Sequence, residues 1–481
     1  MRWRYVANVT GLLVIFIGLT MTAPVAVSFF YSDASRTSLA LSGVITLLVG
    51  MSIFFLFRSA KAEVLTPREG MAIVAGCWLT AGIFGSLPFF FGLEMSFVDA
   101  VFESVSGFTT TGSSILTDIE SLPRGLLFWR SFIQWLGGMG IIVLSIAILP
   151  FLGVGGMQLY KAEVPSPVVD RLKPHIRDTA KVLWKVYLLF TLLQVALLKA
   201  GGMSLFDAVC HAFTTLPTGG YSTWNASVGH FNSVYFEGVF IAFMLMAGMN
   251  FTLHYQFLRG EPLAFWRNVE CRFFLGVVLV FTALVTWDVH GAVYDGLAPS
   301  LRRAAFQVVS ILTTTGYVTA DYEMWPGTSQ IILLVCMFVG ASAGSTGGAM
   351  KCLRIIVAFK YCYREIFMLV HPHAVSRIKL GGKAVSEEVA RSVLGFLALY
   401  VGLFAVSTLL VSATGVDFTT AIGAVATTIG NTGPGFGTVG PSENFAHFPF
   451  LGKWILIWCM LLGRLEIFTV IILFVPEFYK K

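Results

Sequence analysis

Apolar residues fall in long unbroken runs along this chain, not in the narrow stripes of a protein with one wet face. Charge-poor runs occupy 9–31, 39–57, 70–93, 131–153, 182–200, 237–258, 272–290, 328–360, 391–414 and 451–475. Crossing about 30 Å of hydrocarbon takes roughly 20 helical residues at about 1.5 Å each. The pattern therefore predicts an all-α membrane protein with ten transmembrane helices. A second pattern fills the gaps after the third, fifth, seventh and ninth runs. Each holds a weakly charged, Thr/Gly-rich stretch of about 12 helix-like residues, reaching about 18 Å and too short to cross. Such stretches persist at membrane depth only when buried in protein or lining water, so they read as re-entrant half-helices.

Composition agrees with this reading and narrows it. Of 481 residues 56% are hydrophobic and 12% charged, against roughly 25% charged in soluble domains. The longest polar stretches, about 161–185 and 363–391, are too short for a cytosolic catalytic or nucleotide-binding domain, so any such domain comes from another chain. Of the 32 Lys and Arg, 24 fall in segments that lie on one side once the N-terminus is placed inside. The positive-inside rule then puts both termini in the cytoplasm and all four half-helices on the outer side. The run after Met1 is too long for a signal-peptide core and predicts an uncleaved first span. Seven cysteines are scattered without a CxxC, so neither a zinc site nor a disulfide framework is signalled.

The four half-helices share a dipeptide. Thr110-Thr111-Gly112, Thr218-Gly219-Gly220, Thr314-Thr315-Gly316-Tyr317 and Asn431-Thr432-Gly433 each carry Thr-Gly after a helical stretch, recurring about every hundred residues. Span, half-helix, Thr-Gly loop and span thus form a unit used four times. A dehydrated cation needs a ring of oxygens in place of its water, and backbone carbonyls supply one when extended loops point inward. Glycine reaches the positive-φ geometry without a Cβ clash, and half-helix C-termini add their negative dipole ends. Four such loops around one axis make a selectivity filter. Gly-rich turns between packed spans are the alternative, but they would not require Thr each time.

Several motifs resemble the Trk/Ktr/HKT superfamily of cation transporters, and within it the Trk-type potassium uptake subunits. They are Arg130-Ser-Phe-Ile-Gln-Trp-Leu-Gly-Gly-Met-Gly-Ile, His211-Ala-Phe-Thr-Thr-Leu-Pro-Thr-Gly-Gly-Tyr-Ser, Gly340-Ala-Ser-Ala-Gly-Ser-Thr-Gly-Gly-Ala-Met-Lys351 and Gly463-Arg-Leu-Glu-Ile-Phe-Thr. The resemblance implies four K⁺-channel-like M1–P–M2 repeats about a pseudo-fourfold pore. It also implies two extra N-terminal helices. Repeat boundaries would fall at 61–160, 161–260, 261–380 and 381–481, after an N-terminal pair at 1–60. It implies potassium uptake across the bacterial inner membrane, with K⁺ the ion held by the filter residues above, Rb⁺ close to it and Na⁺ weaker. It implies no organic cofactor, a homodimer in the lipid bilayer, a cytosolic ring of TrkA-like nucleotide-binding subunits, and no nucleic-acid partner. Pro217, Asn431 and Pro434 break the fourfold regularity. A secondary transporter coupling K⁺ to H⁺ or Na⁺ is the alternative function. A membrane enzyme is disfavoured by the absence of HExxH and of paired mid-span aspartates.

Two features point to gating. Gly344, Gly347 and Gly348, interleaved with Ser345 and Thr346, interrupt the eighth run, and each glycine costs a helix about 1 kcal/mol relative to Ala. A mid-membrane break there implies an irregular loop under the filter. A small-residue packing face is the other reading. Arg464 lies inside the tenth run, where a charge costs roughly 3 to over 10 kcal/mol unless it faces the pore or a partner. The resemblance places it beside the gating loop. Glu466 is two residues on and on a different face, and a structural ion pair with another acid is the alternative. Glu103, within the first half-helix, is a candidate anchor for the filter.

Overall fold

The computed structural model describes residues 1–58, 66–140, 176–374, 376–465 and 467–479. Glu466, the end of the predicted fourth span and most of the polar stretch 161–185 lie outside the described residues. The chain is a multi-pass all-α membrane fold, apart from a hairpin pairing Lys379–Leu380 with Lys383–Ala384. Six helices among the described residues are long and apolar enough to cross a membrane, and eight if each sharply bent pair is one span.

The first span is α1 (Trp3–Thr20) running into α2 (Thr22–Tyr31), and the second is α3 (Arg36–Leu56). They are fastened at both ends to the helices after them. Arg2 pairs with Glu69 at 2.6 Å at one end. Asp33 accepts from the Gly125 amide at 2.7 Å at the other. Next come α4 (Pro67–Gly92), α5 (Phe97–Phe108) and α6 (Arg124–Trp135). The same order of long helix, short helix and further helix recurs in α7 (Ile176–Ala200), α8 (Leu205–Thr215) and α9 (Val234–Gly248). After α10 (Phe251–Leu258) it recurs in α11 (Val269–Val289), α12 (Leu297–Leu312) and α13 (Gly327–Val339). After α14 (Cys352–Val370) it recurs again in α15 (Glu387–Ser412), α16 (Phe418–Gly430) and α17 (Phe450–Arg464), followed by α18 (Phe468–Ile471).

The short helices α5, α8, α12 and α16 span 12, 11, 16 and 13 residues, close to the expected length. Their starts are locally encoded. Ser96, Ser204 and Asp417 accept from the amides of Asp99, Asp207 and Thr420, which satisfies an amide that the first helical turn leaves without a partner.

Two runs that read as straight spans are not straight. The run 237–258 bends by 103° between α9 and α10, and 451–475 bends by 112° between α17 and α18. At the first bend Asn250 stops one helix and caps the next, its Oδ1 accepting from the Thr252 amide at 2.8 Å. At the second, Ile467 sits at φ 47°, which a β-branched residue adopts only under tertiary constraint. The predicted break in the eighth run is present: helix stops at Val339 and resumes at Cys352. The helix α6 runs into a π-turn over Leu136–Gly140, with Gly138 out of helical geometry. The helix that follows each short helix is therefore interrupted in every case.

Candidate ion-conduction site

The four short helices end alike. Thr110, Thr218, Thr314 and Asn431 follow their C-termini with φ of 53°, 58°, 59° and 52°. The next amide reaches back five residues: Thr111 to Ser106, Gly219 to Thr214, Thr315 to Ser310 and Thr432 to Thr427, each at 2.9 Å. This is the Schellman closure, which glycine or asparagine usually makes. A threonine in the left-handed region costs energy that surrounding contacts must offset, and three of the four loops carry that strain.

The closure sets the register and moves one loop by a residue. Thr218 is equivalent to Thr110, not Thr111, so Gly219 stands where the other loops have Thr111, Thr315 and Thr432. The matching positive-φ glycines are Gly112, Gly220, Gly316 and Gly433, at 86°, 74°, 79° and 107°. The Thr-Gly pair at 218–219 is a coincidence of composition.

These glycines close a ring. A Cβ on Gly112 would lie 2.2 Å from the Gly219 carbonyl oxygen, and one on Gly220 would lie 1.9 Å from that of Thr315. One on Gly316 would lie 2.0 Å from that of Thr432, and one on Gly433 would lie 3.1 Å from that of Thr111. Each loop thus abuts the next and the fourth abuts the first. Four equivalent carbonyls, from Thr111, Gly219, Thr315 and Thr432, each face a glycine of the preceding loop. The helix C-termini behind them bring four negative dipole ends to one place.

The ring is held from outside by buried polar groups. Glu103 accepts from Arg130 Nε at 2.7 Å, from Ser114 Oγ at 3.1 Å and from the Ile115 amide at 3.1 Å. It does anchor the first loop. Arg130 also donates to the Ser222 carbonyl at 2.9 Å and stacks on Tyr221, 3.5 Å from its ring centre. Tyr221 donates to the Glu103 carbonyl at 3.0 Å, and Tyr317 to the His211 carbonyl at 3.0 Å. Each tyrosine follows a ring glycine and inserts behind the preceding short helix. Ser113, one residue after Gly112, donates to the Gly433 carbonyl at 2.9 Å. His211 bonds the Asp207 carbonyl and Ser222 Oγ, which is a packing role.

Beneath the ring lies the irregular backbone between Val339 and Cys352. Gly340, Gly344, Ala349 and Lys351 have φ of 70°, 72°, 58° and 72°, so no helix can pass through. The Gly348 amide donates to Thr314 Oγ1 at 2.7 Å, and Thr346 Oγ1 donates to the Leu216 carbonyl at 2.8 Å. A Cβ on Gly348 would meet the Gly430 carbonyl at 2.3 Å. The loop therefore touches the ends of α8, α12 and α16. Ser345 bonds within the loop, to the Ser342 carbonyl at 2.5 Å. Arg464 donates to the Thr346 carbonyl at 2.9 Å and to those of Gly137 and Gly138 at 2.8 and 3.1 Å. It bridges the loop to the broken turn after α6.

Sequence reasoning missed Glu270. Its Oε1 accepts from the amides of Ala343 at 2.6 Å and Leu353 at 3.0 Å, which pins both ends of the loop to α11. An acid at the start of an apolar helix was the available signal.

Comparison with known proteins joins this geometry to a family. The family model TrkH, described as a cation transport protein, matches residues 35–480. The Trk system potassium uptake protein TrkH of Salmonella typhimurium is 44% identical over 488 aligned residues, covering 100% of both chains. TrkG of Escherichia coli K12 is 38% identical, covering 99% of each. The crystal structure of the potassium transporter TrkH from Vibrio parahaemolyticus superposes with a TM-score of 0.90 at 38% identity, covering 100% of both. All of these are described as transport or uptake proteins. With a fold and sequence shared from end to end, the chain belongs to the TrkH family of cation transport proteins.

Proposed function

We propose that the chain takes up potassium across the bacterial inner membrane through one channel-like pore, with the carbonyl ring as its filter. The closed ring of four equivalent carbonyls and four positive-φ glycines carries this reading. It offers oxygens to a dehydrated monovalent cation without a carboxylate that would favour a divalent one. The recurring long–short–broken helix order supports four M1–P–M2 repeats, at 61–160, 161–260, 261–380 and 381–481, behind the N-terminal pair 1–60. Counting the two broken helices of the first and third units as spans gives ten, with both termini cytoplasmic.

The ion-binding residues are Thr110 to Gly112, Thr218 to Gly220, Thr314 to Tyr317 and Asn431 to Gly433, in the corrected register. The loop from Gly344 through Ser345, Thr346 and Gly347 to Gly348 is the gate, latched by Arg464. A homodimer and a cytosolic ring of nucleotide-binding subunits complete the system. Exposed Lys360, Lys379 and Arg391 give that ring a basic surface, and α14 leads from it straight to the loop.

Vesicles holding the purified protein test both parts. Reversal potentials under separate K⁺, Na⁺ and H⁺ gradients should follow K⁺ alone; a shift with the H⁺ or Na⁺ gradient would show coupled transport instead. Removing Gly344 to Gly347 should give high flux without any partner. Resting flux equal to the parent's in an inserted, folded deletion would clear the loop of gating.

A further inference from the structure

The second loop differs from its neighbours at two places. In the first and third loops the ring threonine is braced by a threonine two residues earlier: Thr109 Oγ1 to Thr111 Oγ1 at 2.7 Å, and Thr313 Oγ1 to Thr315 Oγ1 at 2.8 Å. The second loop has Pro217 and Gly219 at these positions, so neither hydroxyl exists. Another side chain occupies the space. Gln134, fully buried on α6 of the preceding unit, donates from Nε2 to the Gly219 carbonyl at 2.8 Å and accepts at Oε1 from the Tyr221 amide at 3.2 Å. A carboxamide carries donor and acceptor in one plane, so it bonds both sides of Gly220 at once. The backbone partners also fix which way the amide faces.

The fit is tight. A Cβ on Gly219 would lie 2.4 Å from Gln134 Cδ, 2.5 Å from its Oε1 and 2.8 Å from its Nε2. Gly219 does not have positive φ, so its backbone would accept a threonine. What bars one is Gln134. Among the described residues, no side chain donates to the matching carbonyls of Thr111, Thr315 or Thr432.

We propose that Gln134 is a specificity-determining positioning residue whose carboxamide replaces the missing threonine at 219 and fixes the Gly219 carbonyl in the ring. Gln134 and Gly219 are then one complementary pair. The inference rests on the ring being the filter. Holding one of four carbonyls at a set distance favours the ion whose radius suits that ring over a smaller one. A freed carbonyl can follow the smaller ion inward.

Paired rubidium and sodium flux in vesicles tests this, with thermal melting of each purified variant as a check on folding. Gln134→Ala should lower the rubidium-to-sodium flux ratio about five- to tenfold, as expected for losing two buried hydrogen bonds. Gln134→Glu, of nearly equal volume, keeps an acceptor for Tyr221 but turns a carboxylate oxygen on the Gly219 carbonyl; its ratio should fall as far. Gly219→Thr alone should lose flux or fold poorly. The double variant Gln134→Ala/Gly219→Thr gives the loop the ring threonine of the other three and room for its side chain, and should recover both flux and ratio. A parental ratio in Gln134→Ala or Gln134→Glu, or a double variant no better than Gly219→Thr, overturns the proposal. Gly112→Ser separates the two ideas. If it lowers the ratio while Gln134→Ala does not, the filter stands and the Gln134 role falls; if neither moves it, the filter reading falls and this proposal with it.

Discussion

Arg464 and Thr346 are joined across the membrane interior, the guanidinium Nη1 donating to the Thr346 carbonyl at 2.9 Å. One helix end thereby holds a loop from another unit, and the same side chain reaches Gly137 and Gly138. Hydrogen bonds from a charged donor contribute roughly 1.5–3 kcal/mol each. Arg464→Ala should therefore raise resting cation flux at least about tenfold, by freeing the loop and removing a positive charge beneath the ring. Flux in vesicles without any cytosolic partner measures this. A folded variant with parental resting flux would make Arg464 a structural strut only.

Glu270 works on the same loop from the opposite side. Glu270→Ala removes the acceptor shared by the Ala343 and Leu353 amides and should raise resting flux about tenfold, on the same scale per bond. Glu270→Gln keeps an oxygen in place and should fall between the two. Reagent labelling of a cysteine placed at Ser345 gives a second readout, and it should speed up in Glu270→Ala. Unchanged labelling and flux together would show that the carboxylate is not a latch.

The ring glycines form a graded series. The added Cβ would sit 1.9, 2.0 and 2.2 Å from a carbonyl at Gly220, Gly316 and Gly112, but 3.1 Å at Gly433. Alanine at the first three should cut the rubidium-to-sodium flux ratio about tenfold or abolish flux, since backbone cannot yield as a side chain can. Gly433→Ala should be the mildest. If Gly433→Ala is as damaging as the others, left-handed backbone strain, and not crowding of the carbonyls, limits the site.

Glu103 and Arg130 make an ion pair with both side chains almost wholly buried. Breaking such a pair costs roughly 3–5 kcal/mol, because the remaining charge is left without its partner. Glu103→Ala should lower the melting temperature of the purified protein sharply. A joint Glu103→Gln/Arg130→Met change, which leaves no buried charge, should regain part of that loss. Equal melting of single and double variants would place the stabilising role in the Ser114 and Ile115 contacts instead.

Span positions and half-helix lengths are legible in the sequence because both follow from hydrocarbon thickness and a lack of charge. The register of the loops is legible in three cases and not in the fourth. What sets it is a left-handed residue after each short helix, and a threonine in that conformation looks like any other threonine. Thr218-Gly219 copies the pair one residue early, and Gly220 is what reveals the shift. The bends at Asn250 and Ile467 are hidden because apolar residues fill both arms. Gln134 and Glu270 are single polar residues whose partners lie 85 residues away in one case and 73 and 83 in the other, distances at which no local pattern operates.

All four staves of the ring belong to one chain, and this changes how the pore can vary over generations. In a pore built from four identical subunits, a single codon change alters every wall at once. Here it alters one quarter. The proline and glycine of the second stave, with a neighbour's carboxamide filling the gap, show such a local departure tolerated while Thr111, Thr315 and Thr432 keep the common form. Selectivity in this architecture can drift in quarter-steps, each open to correction by a residue elsewhere in the same gene.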